Sequence, residues 1–154
     1  MEIMDRILFI AISLIVIATI LVVGDPMYVG LWYYIAIPAV TYLITLPFQP
    51  KPYFLTGVAL ATQFTYVPYF YHNLFSVRPD GLIGLGHVFS LPGLIAGVLV
   101  SGFIFNKIAA RSFYTMAGAF IITLLCFLLN QLIVCNTKMY CGGLIWPLSL
   151  MSKT

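Results

Sequence analysis

Long apolar runs, separated by short polar or proline-rich segments, dominate the chain. Five of these runs contain no Lys, Arg, Asp or Glu over 16 to 22 residues. A helix rises about 1.5 Å per residue, so about 20 residues cross the roughly 30 Å hydrocarbon core of a bilayer. The pattern predicts an all-α integral membrane protein, a single polytopic domain of about five transmembrane helices. The predicted spans are 7–23, 31–46, 53–71, 84–105 and 113–134.

The third predicted span differs from the others in its polarity. It contains Gln63, three threonines and four tyrosines, and Pro68 predicts a bend near its end. A bundle of four spans, with this segment lining a cavity or lying in the interface, is therefore the alternative. The apolar tail 144–151 is too short to cross a bilayer, and it is predicted to lie at the interface with Trp146 as its anchor.

Small residues recur at intervals of three to four along two of the predicted helices. This spacing places them on one helix face, where the backbone of a neighbouring helix can approach closely. We expect both stripes to be helix-packing surfaces, within the chain or against another subunit. The stripes consist of Gly86, Ser90, Gly93, Gly97 and Ser101 on the fourth span, and of Gly57, Ala61 and Thr65 on the third.

The composition excludes a water-soluble protein. Hydrophobic residues make up 62% of the chain and charged residues 7%, whereas soluble domains carry about 25% charged residues. Membrane lipids are therefore the expected surroundings. The net charge of +3 comes from cations scattered singly between apolar segments, so we expect no nucleic-acid partner.

The distribution of the cations predicts an orientation. With five spans, Arg6, Lys51, Lys107 and Arg111 fall on the side of the N-terminus, and three cations, Arg78, Lys138 and Lys153, fall on the other. The excess favours a cytoplasmic N-terminus and a C-terminus outside, in a cell membrane of the inner-membrane type.

Two cysteines follow the fifth predicted span on the predicted outer side. Cys135 and Cys141 enclose five residues, and an exported compartment oxidises thiols. We therefore expect a disulfide between them, with two unpaired cysteines as the alternative.

The candidate chemistry is sparse. His72, Asp80, His87 and Cys135 carry groups that bind metals such as zinc, but their spacing matches no zinc motif. Ser90 follows His87 by three residues, yet its place in the small-residue stripe indicates packing. We expect no catalytic site, no cofactor and no metal.

Few polar groups fall inside the predicted spans. Gln63, with Thr62 and Tyr66, is the candidate lining of a pore. The preferred interpretation is that these groups form hydrogen bonds between helices.

These features together predict a non-catalytic membrane subunit that acts by helix packing in a homo-oligomer or with a protein partner. Such a subunit anchors or signals to a partner, as a membrane sensor or an immunity or defence-type component does. One alternative is a small oligomeric channel or transporter. The other is a membrane enzyme active at the outer face through His72, Asp80 and His87.

Overall fold

The computed structural model describes residues 2–48, 51–75, 83–108 and 111–137, and this part of the chain is helical. The prediction of an all-α fold is confirmed there. Four stretches are long and apolar enough to cross a membrane: Ile3–Val23, Leu31–Phe48, Gly84–Lys107 and Ser112–Thr137. The helices are α1 (Glu2–Val23), α2 (Leu31–Thr45, continued by a 3₁₀ turn Leu46–Phe48), α3 (Phe54–Phe64), α4 (Val67–Phe75), α5 (Ile83–Lys107) and α6 (Ser112–Thr137).

The third predicted span is not one helix. It breaks at Thr65 and Tyr66 into α3 of 11 residues and α4 of 9, each too short to cross a bilayer alone. Pro68 lacks a backbone N–H, so it cannot continue the bond pattern of α3. It is well accommodated in the first turn of α4, where that N–H would have no partner within the helix.

The broken segment nevertheless runs from one end of α1 to the other. At its start, the backbone N–H of Thr56 donates to the Asp5 carboxylate in the first turns of α1, at 2.8 Å. At its far end, Asn73 Nδ2 donates to the carbonyl of Pro26, just beyond α1, at 2.6 Å. The two ends of this segment are therefore bonded to opposite ends of α1, and the packing against α1 is made mainly by α3.

The interior of the bundle is organised around α3. Nine of its 11 residues are buried, because α1, α2 and α6 all pack against it. The other packed helix pairs are α1 with α2, α2 with α5, α4 with α5 and α5 with α6. The short α3 thus joins three of the long helices, α1, α2 and α6, and α5 is attached mainly through α6; few residues of α1 and α6 are fully buried.

Three of the four stripe glycines, Gly57, Gly93 and Gly97, lie against α6. A Cβ atom on Gly97 would lie 2.7 Å from the Cα atom of Thr123, and one on Gly93 would meet Asn130 and the carbonyl of Cys126. A Cβ atom on Gly57 would meet the carbonyl of Met116. These contacts are made inside one chain.

Other members of the stripes lie elsewhere in the interior. Gly86 faces the ring of Tyr69, with room for a methyl group, since its Cβ would lie 3.9 Å from that ring. Ser90, Ser101 and Ala61 are fully buried. The predicted interfacial tail 144–151 and Cys141 lie outside the described residues, so the tail and the disulfide of Cys135 stay predictions.

Candidate functional site

A fully buried histidine connects three elements of the bundle. His87 lies in the second turn of α5, and the Tyr33 hydroxyl of α2 is 2.7 Å from its Nδ1. Its Nε2 is 2.8 Å from the hydroxyl of Thr65, at the break between α3 and α4. His87 is 0% exposed and Thr65 is 1% exposed, so water does not compete for these hydrogen bonds.

The protons of this network can be assigned from its donors. The hydroxyl of Thr65 is 2.6 Å from the carbonyl of Thr62, and a carbonyl can only accept. The Thr65 hydroxyl therefore donates its single proton to the carbonyl of Thr62 and accepts a hydrogen bond from Nε2–H of His87. A neutral imidazole then has an acceptor at Nδ1, which receives the proton of Tyr33. We assign the Nε2–H tautomer on this count.

Aromatic rings enclose His87 on all sides that the hydrogen bonds leave open. The ring of Tyr66 is stacked on the imidazole with a centroid distance of 4.8 Å. Tyr69 stands edge-on at 5.0 Å, and Phe127 of α6 is tilted at 5.2 Å. We call the set Tyr33, Thr65, Tyr66, Tyr69, His87 and Phe127 the histidine cluster.

A carboxylate lies beside the histidine cluster, in the turn between α1 and α2. Asp25 accepts from the backbone N–H of Met27 at 3.1 Å and of Gly30 at 2.6 Å. It also accepts from the hydroxyl of Tyr34 at 2.6 Å, and the ring of Tyr34 contacts that of Tyr66. Asp25 thereby fixes the start of α2, which carries Tyr33.

A second carboxylate lies at the opposite end of the bundle. Asp5 of α1 is 3% exposed and accepts from the backbone N–H groups of Leu55 and Thr56, and from the Thr56 hydroxyl at 2.5 Å. The residue before α3, Tyr53, has a left-handed backbone and provides no side-chain cap. Asp5 thus caps the start of α3 from another helix, where a negative charge is favourable.

The groups of the predicted pore lining are buried between the helices of the bundle. Thr62 is fully buried and donates to its own helix, to the carbonyl of Val58 at 2.8 Å. Gln63 Nε2 is 3.4 Å from the Ser13 hydroxyl of α1. Gln63 Oε1 and the Tyr66 hydroxyl are buried and have no hydrogen-bond partner within the part of the chain described.

The side chains that suggested metal or catalytic chemistry do not converge. In the described ranges, no three residues among His, Cys, Asp and Glu come close enough to hold a metal ion. Both nitrogens of His87 are occupied by hydroxyls. Ser90 donates to the carbonyl of Gly86 in its own helix at 2.8 Å rather than to His87, and Asp80 lies outside the described residues.

Sequence reasoning recognised His87 and Thr65 separately but missed the residues that position them. Tyr33 and Tyr34 directly follow Trp32, yet they are 3% and 1% exposed, whereas Trp32 is 68% exposed. Helical spacing can predict this difference, because the residues that follow an outward-facing Trp32 point in other directions around the helix. No local signal reveals the cap that Asp5 provides, since it acts 50 residues away.

In the described residues, this arrangement therefore joins the helices of the bundle to one another. No family model, curated protein or solved structure matches this chain.

Proposed function

We propose that the protein is a non-catalytic integral membrane subunit that acts by packing its outer apolar surface against another membrane protein or a second copy of itself. One observation carries the proposal. Four of the buried and half-buried ionisable side chains described in the bundle, two aspartates, one histidine and one lysine, hold its own elements together. Asp5 caps α3, Asp25 fixes the α1–α2 turn, His87 joins α5 to α2, and Lys51 bonds the carbonyl of Ile108 after α5.

The distribution of exposed aromatic residues supports placement in a bilayer. Tyr28, Trp32 and Tyr71 are more than 60% exposed near the α1–α2 turn, and Tyr114 is 62% exposed at the opposite end. Tyr and Trp favour the two interfaces of a membrane, so two such groups at opposite ends are typical of a spanning bundle. Because the α3–α4 segment is bonded to opposite ends of α1, we propose five crossings, the third of them broken.

The surface available to a partner is the outer face of α1 and α6. Ile15 of α1 is 64% exposed and Leu129 of α6 is 59% exposed. The glycines of the small-residue stripes are used inside the chain, so they leave this broader face for a partner. Because lipid is as apolar as these side chains, the partner must be recognised by shape.

Photo-crosslinking in membranes tests this proposal. A photoreactive phenylalanine analogue at Ile15 or Leu129 should yield protein crosslinks from at least one position, and the same analogue at the buried Val98 should yield none between chains. If both outer positions give only lipid adducts in native membranes, the subunit proposal is contradicted.

A channel or transporter is the second candidate, and one observation favours it. Broken helices line the binding sites of many transporters, and the break at Thr65 lies beside Gln63 Oε1 and the Tyr66 hydroxyl, which lack described partners. Solute flux above that of empty liposomes would support this candidate. Flux that Gln63→Ala leaves unchanged would exclude Gln63, Thr62 and Tyr66 as the pathway.

A further inference from the structure

A groove opens between the middle of α1 and the middle of α2, toward the outside of the bundle. Its volume is about 130 Å³. The walls are apolar, and the hydroxyl of Ser13 at the floor already donates to the carbonyl of Phe9 at 2.9 Å. An ordered water needs two to four polar partners, which such walls do not offer. The walls are formed by Ile10, Leu14 and Ile17 of α1 and by Ile35 and Pro38 of α2.

The shape of the groove follows from the side chains that separate the two helices. Toward the N-terminus of α1, the rings of Phe9 and Tyr42 hold the helices together at a centroid distance of 5.4 Å. Beyond that contact, the small Ser13 and the compact Pro38 leave the space unfilled. Leu14 and Ile35, 55% and 50% exposed, form the rims. The groove therefore faces whatever surrounds the two helices.

A cation lies on the line of this groove. Arg6 precedes Ile10 by four residues and Ile17 by eleven, so helical spacing places all three on one face of α1. The distance from Arg6 to Ile17 along the helix is about 16 Å. Arg6 is exposed, and the neighbouring Asp5 carboxylate is buried in its bonds to α3, which leaves it poorly placed to pair with Arg6.

The end of the bundle that carries Arg6 is cationic. Lys51 lies beside the end of α5 through its bond to Ile108, and Lys107 and Arg111 flank the connection to α6. A negatively charged headgroup is therefore favoured at this end over a neutral one.

We propose that the groove binds one acyl chain of an anionic phospholipid whose phosphate contacts the guanidinium of Arg6. The chain lies against Ile10, Leu14, Ile17 and Ile35, and the phosphate lies at the level of Arg6. The proposal requires that the protein lies in a bilayer, and it does not require a protein partner. It is thus independent of the association proposed above.

Native mass spectrometry of the detergent-purified protein tests the site with two lipids of identical chains, dioleoylphosphatidylglycerol and dioleoylphosphatidylcholine. Arg6→Gln should weaken phosphatidylglycerol binding about fivefold, the effect of one cation near a phosphate, and weaken phosphatidylcholine binding less, because the choline cation offsets the charge of its phosphate. Ile35→Trp fills the groove and should weaken the binding of both lipids about tenfold, because each acyl-chain methylene that it displaces loses its contact with the apolar walls.

Two control variants separate this site from general charge and apolar surface. Arg111→Gln removes an exposed cation at the same end, and Ile15→Trp adds a ring to the 64% exposed outer face of α1. Ile15→Trp should leave lipid binding as in the wild type, and Arg111→Gln should weaken phosphatidylglycerol binding clearly less than Arg6→Gln does, with the thermal midpoint unchanged in all four variants.

Three results would overturn the proposal. In the first, Arg111→Gln reduces phosphatidylglycerol binding as much as Arg6→Gln does, which would make the attraction a property of the whole cationic end. In the second, Ile35→Trp leaves both lipids bound as before. In the third, Ile35→Trp dissociates a dimer of the protein and leaves the lipid adducts unchanged, which would assign the groove to a second copy of the chain.

Discussion

The two sides of α5 are held to the bundle in different ways. On one side, Gly93 and Gly97 bring its backbone into contact with α6, at residues Thr123 to Asn130. On the other side, His87 bonds Tyr33 of α2 and Thr65 of the helix break. The first contact depends on the absence of side chains, and the second on matching donors with acceptors. They should therefore respond differently to substitution.

The largest effect is expected at the glycine contact. Gly97→Leu places four carbons where a single Cβ would already lie 2.7 Å from the Cα atom of Thr123. The helices must separate, at a cost of about 3 kcal/mol or more. Unfolding by sodium dodecyl sulfate in mixed micelles measures this loss. Ala96→Leu, at the exposed neighbouring position, should change stability little, and equal effects of the two would refute the close contact.

The next largest effect is expected at the cap of α3. Asp5→Ala leaves the buried N–H groups of Leu55 and Thr56 without their acceptor, which costs about 2–4 kcal/mol. Asp5→Asn keeps one acceptor oxygen and should lose less. Amide hydrogen exchange of Leu55 and Thr56 should accelerate in both variants. Unchanged exchange would show that Asp5 does not cap α3.

A smaller effect separates two tyrosines of the histidine cluster. Tyr33→Phe removes the donor to His87 Nδ1 and should destabilise by about 1–2 kcal/mol. Tyr66→Phe removes a buried hydroxyl that has no partner in the described structure, so stability should be unchanged or slightly higher. The same detergent titration measures both, and a greater loss for Tyr66→Phe would contradict the network.

The smallest signal is the position of one proton. Nitrogen NMR of the labelled protein in micelles should find His87 neutral, with Nε2 protonated and Nδ1 unprotonated, because Thr65 donates to Thr62. The Nδ1–H tautomer would reverse the direction of both hydrogen bonds and contradict the assignment.

The contrast between glycine packing and paired hydrogen bonds also explains which features the sequence could predict. The runs 7–23, 84–105 and 113–134 lie within α1, α5 and α6, because a charge-free apolar run must be helical in lipid. The run 53–71 satisfies the same rule, yet its helix breaks at Thr65. Thr65 back-bonds to Thr62, and Pro68 can begin a new helix as readily as bend an old one.

The site was predictable only in its parts. Glycine spacing identifies a packing face from the sequence alone, because the face is a local property of one helix. The partner of that face, α6, is not given by the spacing. His87 pairs with Tyr33 across 54 residues and with Thr65 across 22, and Asp5 reaches α3 across 50. Such pairs depend on how the helices assemble, which no single helix encodes.

The claim on which the rest depends is that lipid surrounds the outer faces of the long helices. Spin labels at Ile15 of α1 and Leu129 of α6, in protein reconstituted into liposomes, test it through collision with oxygen and with a water-soluble nickel complex. The account predicts high oxygen and low nickel accessibility at both positions, and the reverse at Arg111. High nickel accessibility at Ile15 and Leu129 in folded protein would contradict it.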